Sequence, residues 1–156
     1  MSTTKLAREE KLLAIEEASG YIFNNPDLCL NALRAAGFPA TGGNKGLAQV
    51  GDSALRLALV AVGFEKSATR DDINVVLAAR ASNKYLASQG FEKSLDKCVY
   101  RVNEVAISMN IMATTVQALL GAVFLDCNKN ISVLQEVIKA LGLHWPEVKI
   151  NNPRMD

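Results

Sequence analysis

The stretch from Asn44 to Val62, NKGLAQVGDSALRLALVAV, constrains the fold more than any other part of the chain. Leu47, Val50, Ala54, Leu57 and Ala61 recur at steps of three and four residues, which predicts a helix from Leu47 on with these residues on its buried face. One carboxylate, Asp52, interrupts the apolar run directly after Gly51. Burying an acid is costly unless it is paired or solvated. A glycine inside a helix costs about 1 kcal/mol relative to alanine. Two such penalties side by side predict either a second backbone packed closely here or a site built around the acid.

A chain of 156 residues is expected to form one domain with one core over residues 1–150, followed by a loose tail over 151–156. The charge is nearly balanced, 17 Lys and Arg against 16 Asp and Glu, which argues against a strongly basic nucleic-acid domain but not against a local patch. Cys29, Cys98 and Cys127 are odd in number and widely spaced, with neither a metal-ligand spacing nor a disulfide framework. They read as small buried hydrophobes in a reducing, intracellular compartment. No apolar run stays free of polar residues over the ~20 residues of a membrane span, so no membrane is expected. The first twenty residues lack the apolar core of a signal peptide, and their four glutamates argue against a mitochondrial presequence.

Along the chain, Lys5 to Ser19 is a predicted helix stopped by Gly20. Asn25, Pro26 and Asp27 form a helix start, and Gly37 closes that helix. Phe38 to Gly43 and Gly63 to Thr69 read as loops. Thr69 or Asp71 caps a helix running to Leu86, broken at Gln89-Gly90. Phe91 to Tyr100 reads as one short helix, and Arg101 to Asn110 as less regular. Met112 to Leu125 is a strongly apolar helix with Val116, Leu119, Leu120, Val123 and Phe124 inward and Gly121 permitting close contact. Ile131 to Leu141 forms the last helix before Gly142. No strand alternation is visible, so the expected class is all-α, with the helices near 50–62 and 112–125 packed together at the centre. Trp145 is expected to anchor the tail to the helical body, and His144 has no partner at catalytic spacing.

Four segments resemble the ribonuclease III domain family. Asn44-Lys45-Gly46-Leu47-Ala48-Gln49-Val50-Gly51-Asp52-Ser53-Ala54-Leu55 is similar to the family's signature helix, N-E-x-L-E-F-L-G-D-A-x-L. Ala113 to Asp126, ATTVQALLGAVFLD, is similar to its second segment, A-D-x-x-E-A-L-x-G-A-x-x-L-D. Tyr21 to Leu28 with Asn31-Ala32-Leu33, and Ala81 to Leu86, resemble its first helix pair and middle helix. The similarity runs over about residues 10 to 141 in the family's order. It implies an all-α ribonuclease III endonuclease-domain-like fold, and no double-stranded-RNA-binding domain is expected after it.

The family cleaves double-stranded RNA with magnesium held by acids on the two helices. Mg²⁺ requires hard oxygen ligands in octahedral geometry, and in such chemistry it activates water and neutralises phosphate charge. The matching positions here are Lys45, Ala48, Asp52, Thr114 and Gln117. Only Asp52 keeps a carboxylate. The resemblance with this deficit implies a catalytically silent protein, no metal site, no cofactor, and Lys45 pairing with Asp52 in place of the metal. The bland alternative for Asp52 is a hydrogen-bonded core acid kept for packing. Glu104, Asp71 and Asp72 are alternative acids for a relocated site; each also reads as a surface charge.

The family dimerises through the signature helix, with an aromatic plug at the position of Gln49. A homodimer, or a heterodimer with another ribonuclease III-like chain, is therefore expected. Positive residues for RNA are scattered among Arg70, Arg80, Lys84, Lys93, Lys97 and Arg101; with Lys45, the pair Arg80 and Lys84 are the candidates for an RNA contact, against a reading of ordinary surface charge. The functional expectation is binding of double-stranded or structured RNA in RNA processing, or a scaffold role. The alternatives are a divergent, active double-stranded-RNA-specific endoribonuclease using Mg²⁺, and a structural protein of the mitochondrial-ribosomal type, bound to ribosomal RNA, or a dimerisation module.

Overall fold

The computed structural model describes residues 6–35, 43–101 and 106–150. They form seven α-helices and a 3-10 turn in the order α1 (Arg8–Ser19), α2 (Pro26–Ala32), α3 (Lys45–Glu65), α4 (Arg70–Arg80), α5 (Asn83–Glu92), the turn Leu95–Cys98, α6 (Met109–Asp126) and α7 (Ile131–Ala140). The class is all-α, as expected. Among the described residues the one β-type contact is an isolated bridge between Arg34 and Tyr100.

Local chemistry sets most boundaries. α1 ends at Gly20, whose φ of 70° closes the helix with its N–H on the Glu16 carbonyl. Asn25 accepts a hydrogen bond from the Asp27 N–H at 3.2 Å, with Pro26 as the first helical residue. Ser108 caps α6 through the Ile111 N–H, one turn earlier than the apolar pattern indicates. Asn130 caps α7 through the N–H groups of Ser132 and Val133. Lys5, Gly37 and the loop residues 38–42 lie outside the described residues.

α6 lies at the centre and touches α2, α3, α5 and α7. It is buried almost all round, from Met112 through Val123. α3 crosses directly against it, as the two apolar patterns indicated. Both helices match a membrane span in length and hydropathy; here that hydropathy packs the two together inside the domain.

Five expectations are corrected. The buried stripe of α3 is Ala48, Gly51, Ala54, Leu55, Ala58 and Leu59, whereas Leu57 points outward at 57% exposure. The small residues face α6 because backbone proximity leaves no room for larger ones. The long helix expected from Thr69 to Leu86 is two helices, since Ser82 leaves helical geometry (φ −72°, ψ 149°) and accepts from the Tyr85 N–H to start α5. Gln89-Gly90 lies inside α5 and does not break it: Gly90 is bare because a Cβ there would come within 2.8 Å of Met112 and 2.9 Å of Val116. Phe91 to Tyr100 accordingly divides between the end of α5 and the 3-10 turn. Gly63, read as loop, belongs to α3; a Cβ there would meet the Trp145 ring at 2.7 Å, so the tryptophan does seat the chain after α7 on the body.

Candidate functional site

The cleft between α3 and α6 is set by two glycines. A Cβ on Gly51 would run into the Gln117 carbonyl oxygen and approach the Gly121 nitrogen to 2.7 Å. A Cβ on Gly121 would run into the Leu47 carbonyl oxygen. Each helix therefore presents backbone to backbone, and the side chains beside the glycines face one another across the seam.

Asp52 and Gln117 are brought together there. The Gln117 amide donates to Asp52 Oδ1 at 3.3 Å. Arg56, one turn along α3, donates from Nε to Oδ1 at 3.2 Å and to Oδ2 at 3.3 Å. The Asp52 side chain keeps 34% of its exposure and Arg56 47%, so the acid lies at the cleft rim and not in the core. Its cation is Arg56; no ion pair joins it to Lys45, correcting the expected partner. The reason is spacing: residues four apart are neighbours on a helix face, whereas Lys45 is two turns away.

Of the remaining positions, Ala48 is buried against α6, Lys45 is exposed in the first turn of α3, and Thr114 is half-buried on α6. The donor set is thus one carboxylate already carrying a guanidinium and an amide, plus a neutral hydroxyl nearby on the second helix. That set does not fit Mg²⁺, which needs several hard oxygens and negative charge to offset dehydration. Among the described residues, no three of His, Cys, Asp or Glu stand where they could hold a metal ion. Asp71 is exposed and Asp72 lies 3.7 Å from Lys149. Glu104 lies outside the described residues.

The RNA candidates are placed unevenly. Lys45 and Lys84 are exposed. The guanidinium of Arg80 lies 4.6 Å from the Tyr85 ring centroid, a cation–π stack across the α4–α5 junction. Arg80 and Lys84 stand four residues apart over that junction.

A second acid, Asp126, organises the opposite end of α6. It accepts from the Tyr21 hydroxyl at 2.6 Å and from the N–H groups of Asn24 and Asn25 at 2.7 and 2.8 Å. Burial alone pushes its carboxyl up, but those three hydrogen bonds outweigh burial and hold it below the usual 3.8. Burial and the same contact raise the Tyr21 hydroxyl well above its ordinary range. Sequence reasoning assigned Asp126 no role; its place at the end of the second motif was the available signal. Burial pushes the Cys29 thiol up to about 12 and raises Cys98 as well, so both are protonated, buried hydrophobes at neutral pH. Cys127 is half-buried.

No protein-family model matches the chain, and no curated protein matches it in sequence. In three dimensions it is similar to two structures of the nuclease domain of ribonuclease III from Campylobacter jejuni. One superposes with a TM-score of 0.76 at 20% identity, over 88% of this chain and 97% of that domain. The other gives a TM-score of 0.75 at 20% identity, over 85% and 97%, and was described for structural flexibility in the region involved in its dimer formation. The fold of this chain is that of the ribonuclease III nuclease domain, as the four segments indicated.

Proposed function

We propose that this chain is a ribonuclease III-like protein without nuclease activity, which binds double-stranded or structured RNA and serves as a dimeric scaffold in RNA processing within a reducing compartment. One observation carries the reading. The single acid left at these positions on the two cleft walls is ion-paired by Arg56 and hydrogen-bonded by the Gln117 amide, and is not held open for an ion. No metal and no cofactor enter the proposed role.

Loss of acids makes the cleft less repulsive to phosphate. Lys45, Arg80 and Lys84 are the proposed contacts, and A-form RNA is read mainly through shape, phosphates and 2′-hydroxyls. Binding is therefore sequence-blind and salt-dependent. Three phosphate contacts give a log–log salt slope of about −2 to −3. The dimer is supported by the apolar outward face of α3, where Leu57 and Phe64 stand exposed, and by the dimer formation described for the similar Campylobacter jejuni domain.

The test is incubation of the purified chain with long double-stranded RNA in Mg²⁺ and in Mn²⁺, read by gel mobility and RNA integrity. Intact RNA, retarded in proportion to protein and released by salt, supports the reading. Metal-dependent cutting abolished by Asp52→Ala overturns it.

A further inference from the structure

The far end of α3 borders a hollow that belongs neither to the cleft nor to the proposed RNA contacts. Lys66 lies fourteen residues after Asp52, about 21 Å along the helix axis. There the chain turns sharply. Ser67 takes a left-handed φ of 57°, its N–H meets the Phe64 carbonyl at 3.0 Å, and the Ala68 N–H meets the Gly63 carbonyl at 2.9 Å. This pattern closes α3 and releases the chain at once toward α4. Thr69 then accepts from the Asp72 N–H at 3.1 Å and starts that helix. On the third side, the Trp145 ring sets its Cζ3–Cη2 edge toward Gly63, and Lys149 lies 3.7 Å from Asp72. The end of α3, the start of α4 and residues 145–150 together enclose about 410 Å³.

The hollow has an apolar wall and a charged rim. Val75, Val76, Trp145 and Ile150 form the wall. Lys66, Asp72, Glu147 and Lys149 form the rim. Lys149 and Asp72 pair with one another. Among the described residues, Lys66 and Glu147 enter no ion pair. One positive and one negative charge therefore stand uncommitted over an apolar recess.

We propose that this hollow binds a free α-amino acid with a large apolar side chain, its carboxylate at Lys66, its ammonium at Glu147 and its side chain against Trp145. Charge decides the class. A nucleotide or an inorganic phosphate would bring net negative charge to a rim whose two ammoniums are already matched by two carboxylates. A residue at a peptide terminus keeps only one of the two charges. A free amino acid carries one of each, next to an apolar body. Size agrees: small-molecule sites hold about 300–1,000 Å³, apolar walls with a few polar groups that set orientation. An apolar cavity of about 150 Å³ takes a benzene ring, so 410 Å³ takes an aromatic side chain together with its charged end.

Trp145 is the chain's only tryptophan, so its emission reports on the hollow alone. The test titrates L-phenylalanine into the purified full chain, followed by tryptophan emission and by calorimetry on the same samples. A saturable change in both is expected. L-Phenylalaninamide, which keeps the ammonium, and N-acetyl-L-phenylalanine, which keeps the carboxylate, are each expected to bind about two- to fivefold more weakly, the worth of one exposed ion pair. Lys66→Ala is expected to weaken L-phenylalanine by the same factor and to leave the amide unchanged. Glu147→Gln is expected to weaken L-phenylalanine and to leave the N-acetyl derivative unchanged. Both residues are exposed, so the variants keep the fold, which helical circular dichroism checks. No saturation by L-phenylalanine in either measurement overturns the proposal. Heat without a change in emission puts the binding elsewhere and overturns the site. Either derivative bound as tightly as L-phenylalanine assigns the hollow to a peptide terminus, and adenosine monophosphate bound more tightly assigns it to a nucleotide; each result overturns the amino acid. Affinity for L-phenylalanine that survives both substitutions overturns the roles of Lys66 and Glu147.

Discussion

The backbone of Gln117 occupies the space a side chain on residue 51 would need, and Gly51 is the residue that leaves it free. This approach fixes the distance between α3 and α6, and through it the contact between Asp52 and the Gln117 amide. Packing and site are one arrangement.

Gly51→Ala is accordingly expected to force the two central helices apart. Overpacking of a filled core costs about 1–3 kcal/mol, and a clash with backbone, which cannot rotate away, belongs at the upper end. Gly46→Ala supplies the contrast: among the described residues, nothing beyond its own stretch of helix lies within 4 Å of a Cβ built there, so helix propensity alone acts and adds up to about 1 kcal/mol of stability. Urea unfolding midpoints of the two variants should move in opposite directions.

Asp126 ties the end of α6 to the residues that lead into α2. Its folded carboxyl titrates below the unfolded one, so the stabilisation it brings is complete above the ordinary carboxylate range. It disappears as pH falls through the folded value. Asp126→Asn is expected to cost about 1 kcal/mol at neutral pH, since it weakens hydrogen bonds to a charged acceptor at a partly exposed place. The variant should also flatten the fall in stability below about pH 4. Thermal unfolding of both proteins across that range checks the slope.

The Asp52–Arg56 pair is half-exposed and lies four residues apart on one helix, a class of ion pair worth about 0.3–0.5 kcal/mol. Asp52→Ala is therefore expected to cost less than about 1 kcal/mol, and a double-mutant cycle with Arg56→Ala to return a coupling of that small size. A deeply buried acid would cost several times more. Chemical denaturation of the four proteins in the cycle measures it.

Much of this architecture was legible in the sequence because it rests on local rules. Asn25-Pro26, Gly20 and Gly142 mark helix ends by chemistry confined to one turn. Gly51 and Gly121 announced a close helix contact, since each is costly without one. The outward turn of Leu57 was not legible, because a helix apolar on two faces has no single periodicity to read. The break at Ala81-Ser82 was hidden by an apolar pattern that continues across it, although the serine stands at a proper capping position. At the site, Asp52 and Gln117 were identified, but their partner was misjudged. The Asp-x-x-x-Arg spacing of Asp52 and Arg56 is present in the chain, whereas the likeness to a metal-binding wall favours Lys45 as the partner. The three contacts of Asp126 join residues a hundred positions apart, and no local rule reaches that far.

The proposed lack of nuclease activity follows from the charge that α3 and α6 carry where they meet. Direct titration with Mn²⁺, followed by the loss of the free-ion paramagnetic resonance signal, reads that charge without relying on RNA. No stoichiometric ion is expected on the wild type, and a site is expected to appear when Thr114→Asp and Gln117→Glu add two carboxylates on the wall facing Asp52. A single tightly held ion in the wild type, released by Asp52→Ala, would contradict it.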